Sequence, residues 1–255
     1  MSVIVVGGGA AGLAAAHFAA REGAQVKILE KTGETGKKIL ISGGTRCNVL
    51  PVAVDLERDY FTTSNRRAVE AVFRSWDLDS CHNWLTKELG LELEIEKATE
   101  KYFPKSNSAR DIRDVLLRSC VKENVDIEYN CSVKGLRRQK DQWECLTHDQ
   151  RVFQASHVIL ASGGKSYPKI GTDGIGYSIL KKLGHTLHSP YPALTPLLAS
   201  HPGNTQLAGI SLQSVSVRVK DQKTKEETRN HRGGLLFTHR GLSGPSILDI
   251  SHLIA

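Results

Sequence analysis

Six residues near the start of the chain, Gly7-Gly8-Gly9-Ala10-Ala11-Gly12, have the types and spacing to hold a diphosphate. Gly7 permits a tight turn, Gly9 lets the backbone approach a pyrophosphate, and Gly12 lets a following helix pack closely on its strand. Exposed N–H groups at the helix start, with Ala10 and Ala11 too small to obstruct them, favour the anion together with the helix dipole. Glu30, eighteen positions past Gly12, stands where a carboxylate accepts hydrogen bonds from an adenosine ribose, with Lys31 beside it. A G-x-G-x-x-G string alone is weak evidence. Here apolar Val3 to Val6 precede it as a buried parallel strand, Ala10 to Arg21 follow as a small-residue helix, and Gln25 to Glu30 form a second strand ending on the acid.

A second set of candidate groups lies in Lys37-Lys38-Ile39-Leu40-Ile41-Ser42-Gly43-Gly44-Thr45-Arg46-Cys47-Asn48. Lys37 and Lys38 supply point charges for phosphate or ribose oxygens. Ser42, Gly43 and Gly44 offer backbone N–H groups free of side-chain obstruction. Arg46 and Asn48 can donate to flavin oxygens or a ribityl chain. Cys47 is either a contact to an isoalloxazine ring or a small buried hydrophobe. The turn Ala161-Ser162-Gly163-Gly164 ends another apolar strand, Val158 to Ala161, and would bring the chain back beside the same ligand. Tyr167, just past that turn, and His239, in a Gly-rich turn before Pro245, are candidate proton donors for a hydride transfer. Their alternatives are a packed phenol with a satisfied hydroxyl and an ordinary turn histidine.

The order of the elements bears on which dinucleotide is meant. A simple NAD dehydrogenase continues with alternating helix and strand. This chain instead places a long loop at residues 32 to 50, helices over Asn65 to Leu89, strand and turn over Leu91 to Phe103, and an amphipathic helix over Ser108 to Asn124. Three strands follow as a β-meander, Asp126 to Leu136, Trp143 to His148 and Arg151 to Gln154, with turns at Asp141-Gln142 and Asp149-Gln150. That interruption is the layout of two-dinucleotide-binding-type flavoproteins, so FAD is expected ahead of NAD. The strand opening the meander passes the adenine and makes Val133 a backbone contact. The expected fold is thus α/β: a Rossmann-like FAD domain of parallel sheet plus β-meander over residues 1–189, then the start of an inserted, substrate-side β-rich domain over 190–255. Gly174 to Leu183 is a further helix, stopped by Gly184. Past His188, Pro190, Pro192, Pro196 and Pro202 mark extended sequence, and Val215, Val217 and Val219 alternate with polar residues.

Composition narrows the remaining classes. The 255 residues carry 40% hydrophobic and 24% charged side chains, enough for a sizeable core. The net charge of +7 raises nucleic acid as a partner, but Lys and Arg are scattered in short pairs such as Arg66-Arg67 and Arg137-Arg138. A solvated basic surface and a small anionic ligand are expected, and no nucleic acid. Five cysteines with irregular spacing and no C-x-x-C argue against a disulfide framework and against a metal site. A reducing, cytoplasmic setting follows, with no stretch of 18 uncharged apolar residues to span a membrane. Trp76, Trp84 and Trp143 are expected as packing residues, and His185, His188 and His201 as surface or loop histidines. Ala255 falls inside a helix predicted from Pro245 whose apolar Leu253 and Ile254 lack a cover, so the sequence reads as incomplete.

KILISGGTRCNV, then ILASGGKSYPKIGTDGIGY, LGH, PALTPL and LLFTHRGLSGPSILDIS, resemble the HI0933-like family of flavoproteins, also known as BaiN-type or aminoacetone-oxidase-family FAD-binding proteins. The resemblance runs in the family's order over nearly the whole chain. It implies an NAD(P)/FAD-dependent oxidoreductase with FAD as cofactor, NAD(P)H as a possible reductant and an undefined small-molecule substrate. It assigns Ala11 and Glu30 to the phosphate-loop and ribose positions, Lys37, Lys38 and Ser42 to Asn48 to the flavin loop, and Val133 to the adenine. Two departures stand out. Thr45 replaces the third glycine of the family's SGGGRCN loop, and the family's C-terminal segment, which returns to close the FAD site, is absent. These departures motivate the alternative of a truncated or degenerate flavoprotein, a weak FAD-binding or interaction module without turnover.

Overall fold

The computed structural model describes residues 1–57, 59–60, 66–97, 99–200, 206–220 and 227–254. Two compact units divide the chain, Met1–Leu187 and His188–Ala255. The first opens with β1 (Ser2–Val6), α1 (Ala10–Arg21) and β2 (Gln25–Leu29), the βαβ unit expected from the glycine pattern. α2 (Lys37–Ile41) and a 3₁₀ turn at Ser42–Thr45 come next, then β3 (Leu50–Pro51), α3 (Arg66–Ser75) and α4 (Leu78–Asn83). A π-helical turn at Trp84–Glu88 extends α4, and β4 (Leu93–Glu96), β5 (Lys101–Pro104) and α5 (Ala109–Lys122) follow. The unit closes with β6 (Asp126–Glu128), β7 (Val133–Gln139), β8 (Gln142–Thr147), β9 (Val152–Ala155), β10 (His157–Leu160) and α6 (Ile175–Lys182).

β10, β1, β2 and β6 form a four-stranded sheet in that order, every pairing parallel. Central β1 is apolar on both faces from Val3 to Val6 because both faces are covered. Val3, Val5, Val26 and Ile28 join one core with Leu13 and Ala16 of α1 and Ile112, Val115, Leu116 and Cys120 of α5. Ile4, Val6 and Leu29 join a second core with Val133, Cys145 and Ala155 of the meander and Ile179 of α6. Each fully buried Val, Leu or Ile contributes about 1.5–3 kcal/mol, so the two cores fix the positions at which β1 and β2 end. The meander β7-β8-β9 is antiparallel, as is the small sheet β3-β5-β4. The architecture is Rossmann-like α/β with a meander and added antiparallel sheets.

Several expected elements are differently bounded. The segment read as loop contains α2, entered through Gly36 at φ +70; a helix of five residues is too short to show a period. The single strand expected over Asp126 to Leu136 is two. β6 pairs with β2, and after Asn130 at φ +53 the chain starts again as β7. The first meander turn lies at Lys140, φ +54, and Asp141, with Gln142 already in β8. The sequence places the second of the helices over Asn65 to Leu89 from Asp79; α4 begins one residue earlier, at Leu78, because Asp77 accepts from Ser80 N at 2.7 Å as its N-cap. α3 buries no side chain, and Val72 is 67% exposed. Trp76 is partly exposed, Trp143 is half-buried and Trp84 is buried. Asn65, the expected start of α3, lies outside the described residues, as do His201 and Pro202.

In the second unit β11 (Leu197–Leu198), β12 (Ser211–Lys220), β13 (Glu227–Thr238) and β14 (Gly241–Ser243) form an antiparallel sheet ordered β11-β14-β13-β12. Val215, Val217 and Val219 are half-buried between exposed neighbours, the alternation expected for one solvated face. The helix predicted from Pro245 lasts one turn, α7 (Pro245–Leu248). The Ser251 hydroxyl donates to Leu248 O at 2.9 Å and accepts from Thr195 N at 3.2 Å, which takes up a terminal carbonyl and ends it. Among the described residues no helix is long and apolar enough to cross a membrane.

Candidate functional site

Between the ends of β1 and β2 and the start of α1 the first unit opens a cavity of about 540 Å³. Gly7 enters it at φ +105, its N–H donating to Leu29 O at 2.9 Å. A Cβ on Gly7 would lie 2.7 Å from Ala161 O, and one on Gly12 would lie 1.8 Å from Gly7 O. Both glycines are therefore closed against backbone. Gly9 is the opposite: nothing lies within 4 Å of a Cβ there. Gly9 N-caps α1 without a side-chain hydrogen bond, and the first turn has no acidic residue. The N–H groups at this helix end face an open cradle with no side-chain acceptor of their own, the arrangement that binds an anion.

Glu30, at the end of β2, is held rather than free. Its Oε2 accepts from Gly8 N at 2.7 Å, and Oε1 accepts from Thr32 N at 2.8 Å and Thr32 Oγ1 at 2.7 Å. A carboxylate has about four acceptor positions, so one on Oε2 remains for a ligand hydroxyl. Lys31 pairs with Asp173 at 2.6 Å, and this ammonium holds the Asp173 carboxyl below its usual range. Cys131 N donates to Glu30 O at 2.8 Å, carrying the chain over the cavity through Ser132 to buried Val133.

Lys37 and Lys38 project from α2, and a Cβ on Gly163 would lie 3.4 Å from Lys38 Nζ, so α2 and the Ala161–Gly164 turn meet. Beyond α2 the backbone is left-handed at Gly43, Gly44, Thr45 and Cys47, with φ of +53, +66, +70 and +59. Thr45 therefore occupies a conformation in which a β-branched residue is strained, which accounts for a glycine preference at this place. Burial pushes the Cys47 thiol above its ordinary pKa, against an opposing hydrogen bond from Ser42. It is a neutral thiol at neutral pH. Arg46 turns away. Its guanidinium donates to Asn107 Oδ1 at 2.8 Å, pairs with Glu96 at 2.8 Å and stacks 4.3 Å from the centroid of Phe103.

The cavity thus gathers Gly7, Gly9, Ala10, Ala11, Glu30, Lys31, Lys37, Lys38, Ser42, Cys47, Asn48, Val133, Ala161, Ser162 and Gly163. Gly12, Gly43, Gly44, Arg46 and Gly164 do not line it. Tyr167 is 66% exposed at φ +55 and also outside the lining. His239 lies in the second unit, exposed in the turn between β13 and β14. Thr32, Glu34, Thr172 and Ile175 line the cavity without having been expected there. Thr32 was discoverable as a donor two residues past the acid. Asn130, a residue that tolerates φ > 0, was the one mark of the break before Val133. Among the described residues no group of side chains could hold a metal, and the cysteines are free.

Residues 1–234 match the HI0933-like protein Rossmann domain. The chain belongs to this family. Two curated relatives are each 31% identical: a 3-dehydro-bile acid delta(4,6)-reductase of Clostridium scindens, over 98% of this chain, and a ribosomal RNA dihydrouridine synthase of Escherichia coli, over 97%. The chain spans 60% of the length of each. Among solved structures, 3-ketosteroid-delta4-(5alpha)-dehydrogenase of Rhodococcus jostii, in complex with 4-androstene-3,17-dione, shares the fold. The TM-score is 0.50 at 17% identity, covering 71% of this chain and 53% of that one.

Proposed function

We propose that this HI0933-like chain is the FAD-binding portion of an oxidoreductase that passes hydride from NAD(P)H to a small-molecule substrate. The observation that carries the reading is the uncapped N-terminus of α1, opening on the same cavity that Glu30, Val133, Lys37, Lys38, Ser42, Cys47 and Asn48 line. The donor set suits FAD: helix-end N–H groups for the diphosphate, a free Glu30 acceptor position for the ribose, and the Val133 backbone for the adenine. FAD, when bound, supplies the hydride-transfer chemistry. The chain's own groups bind and orient it. Lys37 and Lys38 offset phosphate charge, and the left-handed turn at Gly43 to Cys47 lets Ser42, Cys47 and Asn48 reach the cavity. Gly12 contributes through close packing of α1, while Gly43, Gly44, Arg46 and Gly164 belong to the turns that carry the lining residues Ser42, Cys47, Asn48 and Gly163. Tyr167 and His239 are the candidate proton donors to the substrate, and residues 190–255 form its substrate-side domain. "Reductase" and "dihydrouridine" in the two relatives' names both denote added hydrogen, which supports reduction as the direction of turnover.

The test is the absorbance spectrum of this chain and of its full-length protein, each purified and then mixed with FAD. Stoichiometric flavin in the full-length protein, bleached by NAD(P)H and recovered with an acceptor, is expected. Absence of flavin from both, even after added FAD, sinks the reading. Bound flavin that never turns over instead leaves a binding module. Steeply salt-dependent RNA binding would replace the small-molecule substrate with a nucleic acid.

A further inference from the structure

Arg113 of α5 does not line the cavity, yet its side chain is only 12% exposed and turned toward the loop that does. Its guanidinium donates to Glu34 Oε1 at 2.6 Å and pairs also with Asp114. Glu34 is a cavity residue. The loop carrying Glu34 is tied directly to the phosphate loop, because Gly36 N donates to Gly8 O at 2.8 Å. A Cβ on Gly8 would lie 2.7 Å from Thr35 Cγ2, so the two loops are in van der Waals contact. Gly36 leaves room for the arginine: a Cβ there would lie 2.5 Å from Arg113 Cγ. α2, with Lys37 and Lys38, starts from the same Gly36, whose carbonyl accepts from Ile39 N and Leu40 N.

This arrangement poses an electrostatic problem that Arg113 solves. A diphosphate entering the cleft meets two cavity carboxylates, Glu30 and Glu34. Glu30 is covered by Gly8 and Thr32 donors. Glu34 has Arg113 as its cation, while Lys31 is already paired with Asp173. The Glu34 side chain is 44% exposed, so without its cation the carboxylate would repel an incoming anion through a field that salt can screen.

We propose that Arg113 is a positioning residue for the dinucleotide cleft, neutralising Glu34 and drawing its carboxylate toward α5 so that the loop supports the diphosphate instead of opposing it. The inference rests on the FAD reading.

Calorimetric titration of FAD and of ADP into the whole chain, at low and high salt, tests it. Arg113→Met keeps the aliphatic stem beside Gly36 and removes the charge. It is expected to weaken both ligands about 10-fold at low salt, with most of the deficit gone at about 1 M salt. Glu34→Gln in that background is expected to restore affinity, and Glu34→Gln alone to tighten both ligands about twofold. Wild-type affinity in Arg113→Met would overturn the inference. So would a deficit that neither salt nor Glu34→Gln repairs, because that would make Arg113 a packing residue only. Should circular dichroism show Arg113→Met unfolded, Glu34→Gln alone decides, and unchanged or weaker binding overturns the proposal. A wild-type chain that takes ADP but not FAD breaks the cofactor reading and leaves Arg113 measurable on ADP. If this chain and its full-length protein both take neither ligand, both readings fall.

Discussion

The phosphate loop and the segment from Ser42 to Asn48 both contribute lining residues to one cavity and are built differently. At Gly7 and Gly12 the missing side chains are replaced by backbone: Ala161 O and Gly7 O occupy the space a Cβ would need. Both oxygens of the Glu30 carboxylate accept from defined donors on Gly8 and Thr32. From Ser42 to Cys47 the chain instead turns through four left-handed residues, two of them not glycine; a Cβ on Gly43 would lie 2.8 Å from Asn48 N, and Gly44 has nothing within 4 Å of a Cβ. The first region is determined by packing, the second by a backbone conformation its sequence only partly favours. On the proposed FAD reading the site is closed by packing where phosphate would bind and strained where the reactive ring would lie.

Gly12→Ala breaks the comparison at its firm end and has the largest expected effect. The added methyl meets backbone at 1.8 Å, so α1 or β1 must move, costing about 3 kcal/mol and abolishing FAD binding. Gly9→Ala is the control in the same loop. Its methyl enters open space, so unfolding in urea should shift by about 1 kcal/mol or less, while FAD affinity falls about 10-fold. Equal behaviour of the two variants would mean that the phosphate loop is not closed against β1 as described.

Glu30→Ala comes next. It strips acceptors from the Gly8 and Thr32 N–H groups, and leaving part-buried donors unpaired costs about 2 kcal/mol. Chemical denaturation without ligand isolates this cost. FAD titration adds the loss of the ribose contact, so the affinity change should exceed the stability change.

These two regions also differ in how far the sequence disclosed them. β1, α1 and β2 were legible because three glycines, an apolar run and one acid each have a single structural use at that spacing. The 42–48 segment was legible as a candidate site, since its residue types suit a flavin, but not as geometry. Arg46 illustrates why. Nothing local says that a guanidinium will turn to Phe103, Glu96 and Asn107, because those partners arrive from β4, β5 and the loop after them. Glu34 and Thr172 were missed for the same reason, as was Arg113. The split between β6 and β7 was hidden because Ile127, Tyr129, Cys131 and Val133 alternate with polar residues straight across it, with Asn130 at φ +53 at the break.

A smaller effect comes from pH. Burial raises the Cys120 thiol, behind α1, to about 11 and the Cys145 thiol, in the meander, to about 12. Unfolded thiols ionise near 8.5, so on raising the pH the unfolded chain releases these protons first. The stabilisation is complete below about pH 8.5 and is lost progressively as pH climbs toward the folded values. Melting temperatures measured from pH 7 to 10.5 should be level and then fall. Cys145→Ala should flatten that fall relative to its own pH 7 value, and an unchanged slope would assign the alkaline loss to other groups.

The smallest expected effect sharpens the comparison at its strained end. Thr45 sits at φ +70, exposed, its hydroxyl donating to Gly44 O at 2.5 Å. A left-handed conformation costs a non-glycine residue about 1–2 kcal/mol, while the extra freedom glycine gives the unfolded chain takes back about 0.4–1 kcal/mol. Thr45→Gly should therefore stabilise the ligand-free chain by roughly 0.5–1 kcal/mol, visible as a higher urea midpoint with an unchanged slope. If the strain belongs to the loop as folded, glycine relieves it without altering FAD affinity by more than about twofold. A gain in affinity with no gain in stability would mean instead that the threonine side chain crowds the ring. The difference between the two regions would then be one of obstruction rather than of backbone conformation.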